Sequence, residues 1–233
     1  MTDATTARAY LSELASRMDA LYSANADAIA AAAAAIEATA KNDGLVYIFG
    51  TGHSHMLAEE AHYRAGGLAL TVPILATATM LHEGAIASTT FERMTGIVQP
   101  IFDRYPISAN DVLFVISNSG VNAVPVEAAR IGKALGATVI AITSQIYSRE
   151  AARGRARLAD IADIVLDNGA PSGDATTAIS GSELKVGPVS TSIGAALLNA
   201  VLVEAAHPVR EQPDRLADVV RDHRPEHVEL EVA

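Results

Sequence analysis

Three short stretches of this chain concentrate side chains suited to holding an anion. Ser117-Asn118-Ser119-Gly120 puts two hydroxyls, an amide and a glycine after the apolar run "VLFVI" and before a helical pattern from about Asn122. An ordinary helix N-cap uses one Ser or Asn. Three such side chains beside a glycine exceed that need and suit a phosphate, which the exposed N–H groups of a helix start attract. "GTGHS", from Gly50, places two glycines at alternate positions, with Thr51, Gly52, His53 and Ser54 in one turn. "VGPVSTS" sets Ser190 and Thr191 just ahead of a strongly apolar helix.

The G-x-G at Gly50 could be half of a dinucleotide fingerprint. The third glycine of that fingerprint would fall at residue 55, which is His55, and "LALTVPILATATM" after the turn holds no acid for a ribose. No cofactor is expected. His53, His55, Glu59, His62 and Glu83 are metal-ligand types, and His55 and Glu59 share a helix face. No spacing commits them, so no metal is expected. His207 closes the last helix, where a cation suits the dipole.

These loops need a scaffold. Five apolar runs, at 44–49, 68–75, 112–116, 138–142 and 161–166, are too short for helices and alternate with helical patterns. That order predicts an α/β fold with a parallel sheet covered on both faces. Ligands then bind at the carboxyl ends of the strands, where each of the three stretches would lie. A connection from about Ala76 to Asn110, holding "TMLHEGAIASTTFERMTG", is long enough to be functional or to carry further helices. Asp167 and Asp174 flank "NGAPSG", a turn-rich loop that either closes over the site or is simply a turn.

Residues 4–41 read as helix, with Leu11, Leu14, Met18 and Leu21 in one stripe followed by an alanine-rich segment. This face covers the sheet of its own chain, packs on a second subunit, or does both. The expected organisation is an N-terminal helical extension for oligomerisation (1–41), one main domain (42–210) and a polar, proline-broken tail (211–233). Half of the 233 residues are apolar and the formal net charge is −10. An acidic chain is a poor partner for nucleic acid. There is no cysteine, hence no disulfide or thiolate metal site. The N-terminus does not resemble a signal peptide, and no apolar run is long enough for a membrane span, so a cytoplasmic protein without membrane contact is expected.

The set "GTGHS", "SNSG" and "VGPVSTS" in an α/β chain resembles the SIS (sugar isomerase) family over about residues 30–207. It is most similar to uncharacterised SIS proteins related to phosphoheptose isomerase. The resemblance implies a flavodoxin-like, doubly wound sheet of five parallel strands and a sugar phosphate as ligand. It assigns the phosphate to Ser117, Asn118, Ser119 and Gly120, with Asn122 where relatives often carry Ser or Thr. It assigns sugar contacts to Thr51, Gly52, His53 and Ser54, and the last helix start to Ser190 and Thr191. Phosphoheptose isomerases place a His and a Glu in the first helix as metal ligand and acid/base. The matching turn here offers Glu60 and then Arg64, and their last-helix ligands have no match near Ser190.

Aldose–ketose isomerisation through an enediolate needs a base near the carbon and an acid near the oxygens. Glu59 and Glu60 lie one to two turns into the first helix, one toward the cleft and one toward solvent, and the family analogy selects Glu60. His82 and Glu83, beside Gly84 in the long connection, and His55 complete the expected catalytic set. The alternatives are a non-catalytic sugar-phosphate sensing module and an amino-sugar phosphate lyase or etherase. Family subunits meet along the leading helices, which implies a homodimer or homotetramer.

Overall fold

The computed structural model describes residues 5–207, so the tail from Glu211 onward lies outside the described residues. Five parallel strands form the central sheet: β1 (Val46–Gly50), β2 (Thr71–Ile74), β3 (Val112–Ile116), β4 (Thr138–Thr143) and β5 (Ile164–Asp167), in the order β2-β1-β3-β4-β5. Each expected apolar run supplies one strand. Two of the readings shrink for local reasons. Before β2, the Thr71 hydroxyl donates to the carbonyls of Ala61 and Leu68, which holds residues 68–70 in a turn. Before β5, the N–H groups of Ile161 and Ala162 donate back to the Leu158 carbonyl of a 3-10 turn, so the strand starts only at Ile164.

Side chains alternate across this sheet, as a pleat dictates. Ile48, Phe114 and Ile140 face helices α1 (Thr5–Lys41), α2 (His55–Ala61) and α7 (Ser190–Ala206). Tyr47, Phe49, Leu113 and Val115 face α4 (Val98–Phe102) and α5 (Ala123–Ala134), where the Phe49 and Phe102 rings meet edge to face at 5.3 Å. The sheet is thus doubly wound. The long connection carries α3 (Ala85–Phe91) as well as α4, and α6 (Gln145–Ala152) follows β4. Among the described residues, no helix is long and apolar enough to cross a membrane.

The leading segment is one continuous helix. Ile29, Ala32, Ala33 and Ile36 of α1 are buried in the core against α7, where alanines let the two backbones approach closely. Tyr10, Leu14 and Leu21 pack on a small cluster formed by Ala170, Val189 and Ile193, while Leu11 is 61% exposed. Sequence reasoning missed an antiparallel hairpin, β6 (Ala175–Ala178) with β7 (Lys185–Pro188). It buries almost nothing and so leaves little hydrophobic signal. It is held against α1 by the Tyr10 hydroxyl, which donates to the Pro188 carbonyl at 2.7 Å. A Cβ on Gly187 would lie 2.8 Å from the Tyr10 ring, so the contact requires glycine.

Candidate active site

Strand order reverses between β1 and β3, neighbours whose crossovers run to opposite sides of the sheet. The crevice at such a point lies beyond the carboxyl ends of both strands. Gly50 ends β1 and is paired with Ile116, which ends β3, so the 50–54 turn and the 117–122 loop leave the sheet side by side. They line a cavity of about 400 Å³.

Each loop is built tightly. A Cβ on Gly50 would sit 2.6 Å from the Ser54 backbone, so glycine permits the turn, and the Ser54 N–H donates to the Thr51 carbonyl. Gly120 has φ +62°, and a Cβ there would meet the Thr143 hydroxyl at 2.8 Å. Its N–H donates to the Ser117 hydroxyl, and its carbonyl accepts from the Leu158 N–H. The Asn118 carbonyl accepts from Ser144 N–H and the Thr143 hydroxyl, and its side-chain oxygen accepts from Asn168. Ser117 and Asn118 therefore shape the loop. Ser119 is different: its hydroxyl makes no hydrogen bond among the described residues, and it lines the cavity.

The start of α5 is left open. Asn122 is its N-cap, but the side chain makes no capping bond; it donates instead to Glu92 at 2.8 Å. The backbone N–H groups of Ser119, Val121 and Asn122 find no partner among the described residues. The start of α7 is capped by a carboxylate. Asp174, held at φ +64°, accepts from the N–H groups of Val189 and Ser190 and from the Ser190 hydroxyl at 2.7 Å. An internal carboxylate thus occupies the place that an anion would take at Ser190. Thr191 faces a crevice of about 10 Å³, beside Ser54 and Asn118, rather than the main cavity.

Glu92, at the end of α3, bridges the two loops. It accepts from the Thr51 hydroxyl at 3.0 Å and from Asn122, while its carbonyl accepts from the Val124 N–H. Burial pushes this carboxyl above the ordinary carboxylate range; the Thr51 bond and the Arg93 charge pull it partly back. Glu92, Arg93, Tyr147, Arg155 and Asp174 line the cavity and were not among the expected site residues. A signal for Glu92 was present: an acid at the end of a helix opposes the dipole, and so asks for a reason.

Of the expected contact residues, Thr51, Gly52, His53, Ser54, Ser117, Asn118, Ser119, Asn122 and Ser190 line this cavity. Gly120 supports the loop from behind. The expected catalytic side chains do not line it. Glu60 is ion-paired with Arg64 and accepts from Asn199 at 3.2 Å. Those two partners border a separate, mainly apolar cavity of about 310 Å³ between the ends of α2 and α7, which also holds His207. His55 is buried, with His82 beside it at 5.3 Å between ring centres, and Glu83 is exposed.

Residues 9–144, more than half of the chain, match the SIS domain family. The chain belongs to that family. Its SIS domain has close relatives among the UPF0309 proteins: those of Brucella ovis and Brucella canis are each 56% identical over 197 residues, covering 84% of this chain and 81% of theirs. The same fold occurs in the phosphoheptose isomerase of Neisseria gonorrhoeae (TM-score 0.56, 19% identity, 85% of this chain and 96% of that one). It occurs also in an Escherichia coli CFT073 protein solved in complex with arabinose-5-phosphate (TM-score 0.51, 17% identity, 90% of each chain).

Proposed function

We propose that the SIS domain binds a sugar phosphate in the 400 Å³ cavity and interconverts its aldose and ketose forms. One observation carries this reading: Glu92, a half-buried carboxyl of raised pKa, shares a cavity with anion donors that find no partner among the described residues. The phosphate goes to the Ser119 hydroxyl and the free N–H groups at the start of α5, with Arg155 at the cavity wall adding charge. Thr51, His53 and Ser54 meet the sugar hydroxyls.

Glu92 then acts as the base. As a carboxylate it takes the proton from the carbon beside the carbonyl, giving an enediolate, and returns it to the neighbouring carbon. A raised pKa brings a carboxyl closer to the operating pH, where acid–base catalysis is most efficient. His53 hands on the second proton, from the oxygen that becomes the carbonyl to the oxygen that was one.

Incubation of pentose, hexose and heptose phosphates, arabinose-5-phosphate among them, in heavy water tests the proposal. A substrate should gain deuterium next to its carbonyl with the wild type and not with Glu92→Gln. Saturable binding with no exchange for any sugar makes the domain a sensing module and overturns the isomerase reading.

The proposal extends to assembly. Leu11 and Tyr22 on α1 and Val203 on α7 are exposed, which suits a homodimer or homotetramer of closed symmetry. Light scattering at micromolar concentration checks it, and a mass near the 24.2 kDa monomer contradicts it.

A further inference from the structure

We propose that His55, Glu59 and His82 form a zinc-type cation site next to the 50–54 turn. His55 and Glu59 share one face of α2, and His82 stands in the turn before α3. One ligand atom from each of the three lies within 4.8 Å of the other two. The turn carrying His82 is fixed: Gly84 N–H donates to the Leu81 carbonyl, Ser88 N–H to the Gly84 carbonyl, and the Ser88 hydroxyl to the Thr79 carbonyl at 2.9 Å.

The hydrogen bonding of His55 supplies an independent reason. Its Nδ1 is bonded to the Gly52 carbonyl, which can only accept, so Nδ1 carries the proton. In the neutral ring, Nε2 then presents a lone pair. That lone pair meets the Glu59 carboxylate at 3.9 Å, an acceptor facing an acceptor at a distance too long for a hydrogen bond. A cation between them resolves the repulsion. Two ligands on a tetrahedral zinc stand about 3.4 Å apart, close to what is seen. A ring N–H anchored on a backbone carbonyl is also the usual support for a metal-binding His, because it fixes the tautomer.

Two His and one carboxylate leave a fourth position for water. His55 is buried, whereas Glu59 and His82 are exposed, so the ion enters from the surface. Because Gly52 both holds the His55 ring and lines the main cavity, an ion here braces that turn. The site does not depend on what the main cavity binds.

Calorimetric titration of chelator-treated, full-length protein with zinc is the test. One ion per chain should bind. Glu59→Gln and His82→Ala, both at exposed positions and so tolerable for folding, should each weaken it at least tenfold, since loss of a mere supporting group costs about tenfold or more. Replacing His223 and His227, which lie outside the described residues, with Ala should leave the affinity unchanged. Absence of binding, or affinity that follows His223 and His227 rather than Glu59 and His82, overturns the site.

Discussion

Helices α5 and α7 begin at the same cavity, and the sequence makes them look alike: each follows a cluster of Ser, Thr or Asn. The structure separates them. At α7 the donors of Val189 and Ser190 are spent on Asp174, which takes two N–H groups and a hydroxyl. At α5 the cap side chain turns away to Glu92, Pro125 brings no donor, and several N–H groups stay free among the described residues. A hydroxyl-rich helix start is therefore not yet an anion site. What decides is whether the protein has already supplied the anion.

Closing α5 as α7 is closed should produce the largest effect. Ser119→Asp places a carboxylate where the dianion belongs, and sugar-phosphate affinity should fall by at least about a hundredfold, roughly 2.7 kcal/mol. Calorimetry reads this, and unchanged affinity removes the loop from the site.

The two cavity carboxylates sharpen the same contrast. Asp174 sits at a helix start among donors; Glu92 sits at a helix end and is desolvated. Glu92→Gln should cut turnover by about a hundredfold or more while binding survives. It should also change how stability depends on pH. The folded pKa of Glu92 is raised, so the stability it contributes is full below the ordinary carboxylate range and is lost as pH rises through the raised value. Gln does not titrate. Melting curves of the variant should gain on the wild type across that window, and a constant offset at every pH contradicts the burial of Glu92.

Gly120→Ala tests how the open loop is held. A side chain at φ +62° with its Cβ 2.8 Å from Thr143 should cost about 1–3 kcal/mol, a fall of several degrees in Tm, and weaken binding as the loop shifts. Opening α7 should do least. Asp174→Asn keeps one acceptor and tolerates the left-handed backbone, so it should cost about 1 kcal/mol or less and leave sugar-phosphate affinity the same or higher. A large loss of affinity would mean that α7, not α5, holds the ligand.

The five strands were legible because buried parallel strands are continuous apolar runs, and their order places the loops that follow them. The loops that border the cavity were legible for the same reason: Ser117 to Asn122 and Thr51 to Ser54 are positioned by the strands they follow. The proposed acid/base group was not. Glu60 looks equivalent to Glu59 on a short helix, and only tertiary packing shows it bound to Arg64 and Asn199. Glu92 arrives through the long connection, whose path depends on contacts far apart in sequence. The β6–β7 hairpin was missed because its strands are half-exposed and carry no apolar run.

The difference between the two helix starts is most directly read from backbone amide NMR during titration with inorganic phosphate and then a sugar phosphate. Saturable shifts should appear at Ser119, Gly120, Val121 and Asn122, with Val189 and Ser190 nearly still. Shifts centred on Val189 and Ser190, or none that saturate, would contradict phosphate binding at the start of α5.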